Sequence, residues 1–163
     1  MGLVGYMTLK GKNQGEIKGS SAEKSYKDAV VVLQFDHTVK VPYGDSNATV
    51  RGDSQHDPLI IYKEWDKSTP ALYKALVTGE HFEKVEIKWV RMNGQKYENF
   101  FTHTLHDAKI VNVNTYMYHR DDPERGKFPQ HMEAISFVYT KLDWVWVPDG
   151  VTCKYDVNNK GEA

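Results

Sequence analysis

Apolar residues come along this chain in short blocks of β-branched and aromatic side chains, separated by clusters of Gly, Pro, Asn and Asp. That is the pattern of an all-β domain built from modest strands. The first strand is expected over Tyr6 to Lys10 and the second over Ala29 to Val41, "AVVVLQFDHTVKV". The third is "PLIIYKEW", with Pro58 at its start, where a missing N–H is tolerable. "KVEIKWVRM" and "QKYENFFTHTL" meet across Asn93-Gly94, a pair that accepts positive φ at both positions and so predicts a type I′ hairpin. "DAKIVNVNTYMYH" and "EAISFVYTKLDWVWV" follow as two longer strands, joined by the polar loop "RDDPERGKFPQ".

One segment breaks the strand pattern. In "DKSTPALYKALVTGE", Ser68 or Thr69 can cap free N–H groups, Pro70 suits a first helical turn and Gly79 suits a left-handed C-terminal position. Leu72, Ala75 and Leu76 then fall on one side of a short helix, the stripe expected where a helix covers a flank of a sheet.

Several strands are apolar on both faces. Trp144 and Trp146 alternate with Val145 and Val147, with Ile135 and Phe137 assigned to the second set, and Val30 to Leu33 is apolar throughout. A solvated antiparallel sheet alternates cleanly, so the second face needs cover from the helix, another sheet or another subunit. The stretch from Pro42 to Gln55 is the opposite case. It is rich in Gly, Asp, Ser and Asn, has Val50 as its one apolar anchor, and reads as a long loop without structure of its own.

Composition changes this picture little. The 163 residues fit one domain, and 21 basic against 22 acidic residues favour neither nucleic acid nor an anionic membrane surface. No apolar run approaches a membrane span, and the N-terminus lacks the basic and apolar regions of a secretory signal. The single cysteine, Cys153, excludes an intramolecular disulfide framework. Arg51-Gly52-Asp53-Ser54 spells an adhesion word, but these are residues that turns favour for backbone reasons, and secreted adhesion modules of this size rely on disulfides. After Asp149 the chain reads as a polar tail, so residues 1–149 are expected to form the domain and 150–163 an appendage.

Candidate chemistry is sparse. His103 and His106 lie three apart on a strand and face opposite sides unless a bulge intervenes, so they do not converge on one metal ion. His119 and His131 flank an acidic loop with Asp121, Asp122 and Glu124 that lacks cation-loop spacing. Glu64 and Asp66 share a strand face, but Asp66 also stands where a strand ends and a helix cap begins. There is no nucleophile elbow and no phosphate-binding glycine loop, so neither catalytic residue, metal nor cofactor is expected.

Five stretches in order resemble the Hcp family, the tube protein of the bacterial type VI secretion system. They are "LKGKNQGEIKGSS", "VVVLQFDHTVKVP", "QHDPLIIYKEWDKSTPALYKALVTGE", "EKVEIKWVRMNGQKYENFFTHTLHDAKIVNV" and "MEAISFVYTKLDWVW". The resemblance makes His56, Pro58, Pro70 and Gly79 family-motif structural positions. It implies a mainly β fold, a β-barrel of two packed antiparallel sheets with one short flanking α-helix, like phage tail-tube proteins. It further implies homohexameric rings stacked into a hollow tube, a VgrG spike at the tip, a contractile sheath around it and effector proteins in the lumen. The protein would stay in the bacterial cytoplasm before firing and then be exported without a cleaved signal. The loop after Pro42 departs from the family's Arg spacing; Asp45, Arg51 and Asp53 in it are the expected inter-ring contacts. The alternatives are a phage-type tail-tube protein and a small ligand-binding β-barrel.

Overall fold

A computed structural model describes residues 3–44, 49–127 and 131–159. Its elements run β1 (Val4–Gly11), β2 (Gly15–Ile17), β3 (Val30–Val32), β4 (Gln34–Asp36), β5 (Val39–Lys40), β6 (Gln55–His56), β7 (Leu59–Glu64) and α1 (Thr69–Thr78). Then follow β8 (Phe82–Asn93), β9 (Lys96–Met117), β10 (His131–Val138), β11 (Lys141–Trp146) and β12 (Val151–Asp156). The fold is mainly β, antiparallel in every pairing, with a single α-helix among the described residues.

The hydrogen-bonded path is β2-β1-β8-β9-β10-β7-β4, with β3 added to β1 and the pair β11-β12 added to β9. Two layers share this path. The first contains β1, β2, β3, β8, the N-terminal half of β9, β11 and β12, and the second contains β4, β7, β10 and the C-terminal half of β9. Among the described residues the ladder is open; no strand pairing closes it into a barrel.

The expected strands exist, but several boundaries differ, and each difference marks where the chain changes layer. The two strands expected from Gln95 onward are one strand, β9, and its continuity depends on Asp107 taking φ 48°. A left-handed residue redirects a strand without ending it, which lets β9 serve β8 and β11 on one side and β10 on the other. The stretch Ala29–Val41 is three strands. β3 pairs with β1, and β4 pairs with β7; the Leu33 N–H between them donates to the Tyr62 carbonyl at 2.8 Å. The expected closing strand is broken at Tyr139-Thr140 into β10 and β11. As a result Ile135 and Phe137 do not share a face with Val145: they are buried in the core, where Leu142 and Trp144 join them from β11. Beyond Asp149, where a polar tail was expected, the chain turns through Gly150 at φ 65° and adds β12 to β11.

The β8-β9 hairpin is present, but its two turn residues are Gly94 and Gln95, with Asn93 paired to Lys96. Positive φ occurs only at Gly94, 63°, which is the II′ pattern and not I′.

Alternation explains the core. Met7 and Leu9, Val30 and Val32, Leu59 and Ile61, and Val85 and Ile87 point inward from their strands, and Leu72 and Ala75 close over them from α1. Pro70 stands in the first turn of α1, and Gly79 ends it at φ 63°. The Ser68 side chain does not cap the helix; Asp66 does, accepting from the Ser68 N–H at 2.8 Å.

Lys63 occupies a core-facing position of β7 and is 1% exposed, directly opposite Glu133 of β10, which is fully buried. Its ammonium contacts the Glu133 carboxylate, lies 3.0 Å from Asp66 Oδ1 and donates to the Glu64 carbonyl at 2.8 Å. Thr69, the first residue of α1, donates to Glu133 Oε1 at 3.0 Å. Burial acts to raise the Asp66 pKa, but the Ser68 hydrogen bonds and the Lys63 charge outweigh it and hold the carboxyl below its usual range. At the other end of α1, Glu80, 2% exposed, accepts from the Asn13 and Gln14 N–H groups and so ties the β1-β2 turn to the helix.

Removing one partner of a buried pair leaves the other charged in an apolar site. Glu133→Ala is expected to cost about 3–5 kcal/mol in denaturant unfolding at fixed protein concentration. The double variant Lys63→Met/Glu133→Leu is expected to recover most of that loss.

Candidate functional site

The candidate site is the segment between β5 and β6 and the ground on which it stands. It is an arm, not the structureless loop that its composition suggested. Val39 pairs with His56 and Lys40 with Gln55, the Arg51 N–H donates to the Pro42 carbonyl at 2.7 Å, and the Gly44 N–H donates to the Thr49 carbonyl at 2.9 Å. Tyr43 faces Val50 in a bridge. Among the described residues of the arm the two legs thus pair backbone to backbone, which is how such a segment meets its hydrogen-bond requirement.

Arg51 and Asp53 are both exposed on this arm, and Asp45 lies outside the described residues. Gly52 between them has φ 85°, so turn geometry accounts for the glycine of the Arg-Gly-Asp-Ser word. The arm also carries more apolar surface than Val50 alone. Tyr43 is 73% exposed and Val50 66%, with Val39 and Val41 also exposed nearer its root.

The root of the arm rests on an aromatic cluster. His37 precedes β5 and His56 belongs to β6, and both rings reach the hydroxyl of Tyr139, His37 Nε2 at 2.8 Å and His56 Nδ1 at 2.5 Å. His56 stacks on Tyr155 of β12 with centroids 3.9 Å apart, and Trp144 lies beyond both histidines. Behind them Trp89 Nε1–H donates to His103 Nδ1 at 2.9 Å, and Phe35 packs between Trp89 and His103. Burial, reinforced by His37, pushes the His103 pKa down to about 4. Burial also lowers His37 and His56 and raises Tyr139.

The other expected sites fall apart. His103 faces the interior, while His106 pairs with Asp143 at 2.9 Å on the outer face, so the two do not converge. Asp122 is taken up in its own turn, accepting from the Glu124 and Arg125 N–H groups, and His131 stacks on Trp65. Asp66 belongs to the helix cap and not to an acid–base pair with exposed Glu64. Among the described residues no three His, Cys, Asp or Glu side chains group as metal ligands. A depression of about 410 Å³ is lined by Thr8, Leu9, Lys10, Glu16, Glu83 and Lys84.

Of the motif positions, Pro58 leads into β7, Pro70 and Gly79 bound α1, and His56 has the additional role at the root of the arm. Its partners His37, Tyr139 and Tyr155 escaped the sequence reading. Tyr139 is 83 residues from His56 and 102 from His37, and no local pattern links them.

Comparison with known proteins agrees with this architecture. The family model described as "Type VI secretion system effector, Hcp" matches residues 6–146. The "Major exported protein" of Pseudomonas aeruginosa is 33% identical over 162 residues, covering 93% of this chain and 94% of that protein. A solved Hcp protein superposes with a TM-score of 0.88 at 26% identity, covering 95% of this chain and 98% of that one. The secreted protein Hcp3 from Pseudomonas aeruginosa does so with a TM-score of 0.77 at 29% identity, covering 95% and 98%. A match that runs through β1 to β11 leaves one assignment: the chain belongs to the Hcp family of the type VI secretion system.

Proposed function

We propose that this chain is a tube subunit of the type VI secretion system, which assembles into hexameric rings, stacks into a hollow tube and is exported with its cargo. The observation that carries the reading is the likeness to Hcp proteins over nearly the whole chain, at 33% identity to an exported protein. The role is mechanical. The tube carries a VgrG spike at its tip, is driven by a contractile sheath and holds effector proteins in its lumen.

Within a ring the subunit acts as a β-barrel. Two facts support this reading: Val30–Asp36 serves β1 with its first half and β7 with its second, and β9 bridges the same two layers on the far side. Covalent continuity through Leu33 does what a further ladder would do.

The two outer faces differ, and the difference supports a division of labour. On the first layer Lys84, Glu86 and Lys88 form one charged series, with His106–Asp143 and Lys141–Asp156 as further pairs. On the second layer one row runs Gln34, Tyr62, Ala134, Asn114 and the next Asp36, Ile60, Ser136, Asn112. A carrier must release its cargo, so it needs a surface of small and polar groups and no deep apolar pocket. Gln34, Asp36, Asn112 and Asn114 on the second layer meet that need in part, with Tyr62 and Ile60 between them, and on this reading the second layer faces the lumen.

Three outcomes test these statements. By light scattering at micromolar concentration the protein is expected to run as a ring several times its subunit mass, and a monomer overturns the reading. Replacing residues 45–53 by a Gly-Ser bridge is expected to keep single rings and abolish stacking in negative-stain images; tubes formed by the shortened protein make the arm a passive connector. Gln34→Ala with Asn114→Ala is expected to change which effectors accumulate in the cell at unchanged ring yield, and an unchanged effector profile removes the second layer from the lumen.

A further inference from the structure

Both legs of the arm are tied to the body through one atom. His37 stands immediately before the first leg and His56 within the second, and the hydroxyl that both rings contact belongs to Tyr139, in the break between β10 and β11. The legs are also tied to each other at this level, by the backbone bond from the Asp57 N–H to the Thr38 carbonyl, 3.0 Å, and by the Lys40–Asp57 ion pair at 3.7 Å. The histidine ring centroids are 6.1 Å apart.

A phenol has one hydrogen to donate, and a neutral imidazole has one bare nitrogen and one N–H. With both rings neutral, the Tyr139 hydroxyl can donate to one ring and accept from the other, so both contacts are hydrogen bonds. With both rings protonated, each presents an N–H, the phenolic hydrogen loses its acceptor, and two cations face each other across a half-buried aromatic site. We infer that the shared Tyr139 hydroxyl is a pH-responsive staple, holding the arm at a fixed angle while His37 and His56 are neutral and releasing it when both are protonated.

The surroundings set the direction. The titratable and charged groups around the pair are Asp36 of β4, Lys40 of β5, Asp57 after β6, His103 of β9, Tyr139 and Tyr155 of β12. Burial lowers His37, His56 adds to that effect, and Asp57 and Asp36 oppose it without reversing it. Asp57 is also engaged by Lys40 at 3.7 Å, which shares its charge. Because both histidines lie below their ordinary value of 6.5 in the folded protein, the staple is fully present above that value and is lost as pH falls through the lowered values. His103, at about 4, stays neutral through most of this window.

This inference concerns how the arm is held to its own subunit and does not require that the arm bridge rings. It is therefore tested on the wild-type protein as purified, by amide hydrogen exchange corrected for intrinsic rate, with histidine ring resonances followed by NMR. Protection at Val39, Lys40, Gln55 and His56 is expected to fall about fivefold or more between pH 7.5 and 5, the size of one lost hydrogen bond, while β8 and β9 keep theirs. The His37 and His56 resonances are expected to titrate below 6.5, and the loss of arm protection to follow them. Tyr139→Phe is expected to lower arm protection at pH 7.5 to near its acidic level. His37→Gln with His56→Gln, which stay neutral, is expected to remove the pH dependence. Arm protection that is constant across the histidine titration in the wild type overturns the inference, as does a pH response that survives in the double variant. Tube stacking, scored separately at pH 7.5, reports on the inter-ring reading alone.

Discussion

The contact on which most of the subunit rests is a buried cation among carboxylates. Lys63 and Glu133 oppose each other across β7 and β10 at positions where the strand pattern would otherwise place apolar residues, and Asp66 and Thr69 bring the start of α1 to the same point. Burying a charge is expensive unless it is paired and hydrogen-bonded, so the sites fix one another: any slip of β7 against β10 separates the pair. An apolar pair at the same place would tolerate such a slip more easily. The helix is held at its other end in the same manner, because Glu80 accepts from the β1-β2 turn. One short helix with a modest apolar stripe is thereby locked over the core at both ends.

With register fixed, two shared segments hold the layers together. β9 passes from one layer to the other at Asp107, and Val30–Asp36 does so at Leu33. Each crossing costs some regularity, a left-handed aspartate in one case and a broken ladder in the other. In exchange the two layers are joined along both sides, and their outer faces are free to differ. One carries the paired charges Lys84–Glu86–Lys88, His106–Asp143 and Lys141–Asp156, and the other carries Gln34, Asn114 and Asn112 beside Tyr62 and Ile60.

The arm belongs to this scheme because its root sits where β10 gives way to β11. Tyr139 occupies that break, and its hydroxyl gathers His37 and His56 from segments that flank the arm on either side. A projecting hairpin tied only by its own ladder would sample many directions. Here both legs also reach one half-buried phenol, and Tyr43 and Val50 stand exposed further out on the hairpin.

The sequence by itself determined the fold class, most strands, the helix and the family, because those depend on short-range patterns: alternation in "PLIIYKEW", Pro70 and Gly79 around one apolar stripe, and Gly94 in a tight turn. Where it misjudged, the reason was long-range. Nothing in the local pattern singles out Lys63 or Glu133, 70 residues apart; the β7-β10 ladder places them face to face. The stretch from Pro42 to Gln55 read as loop because its composition is that of a loop, yet its backbone pairs with itself once Val39 and His56 are brought together. Val151–Asp156 read as tail because the stretch after Asp149 offers little apolar surface to bury, and an edge strand needs only a neighbour with free backbone groups, which β11 supplies. Local chemistry decides what a segment can form; which buried groups meet, and therefore where the arm is anchored, is decided only when distant strands fall into register.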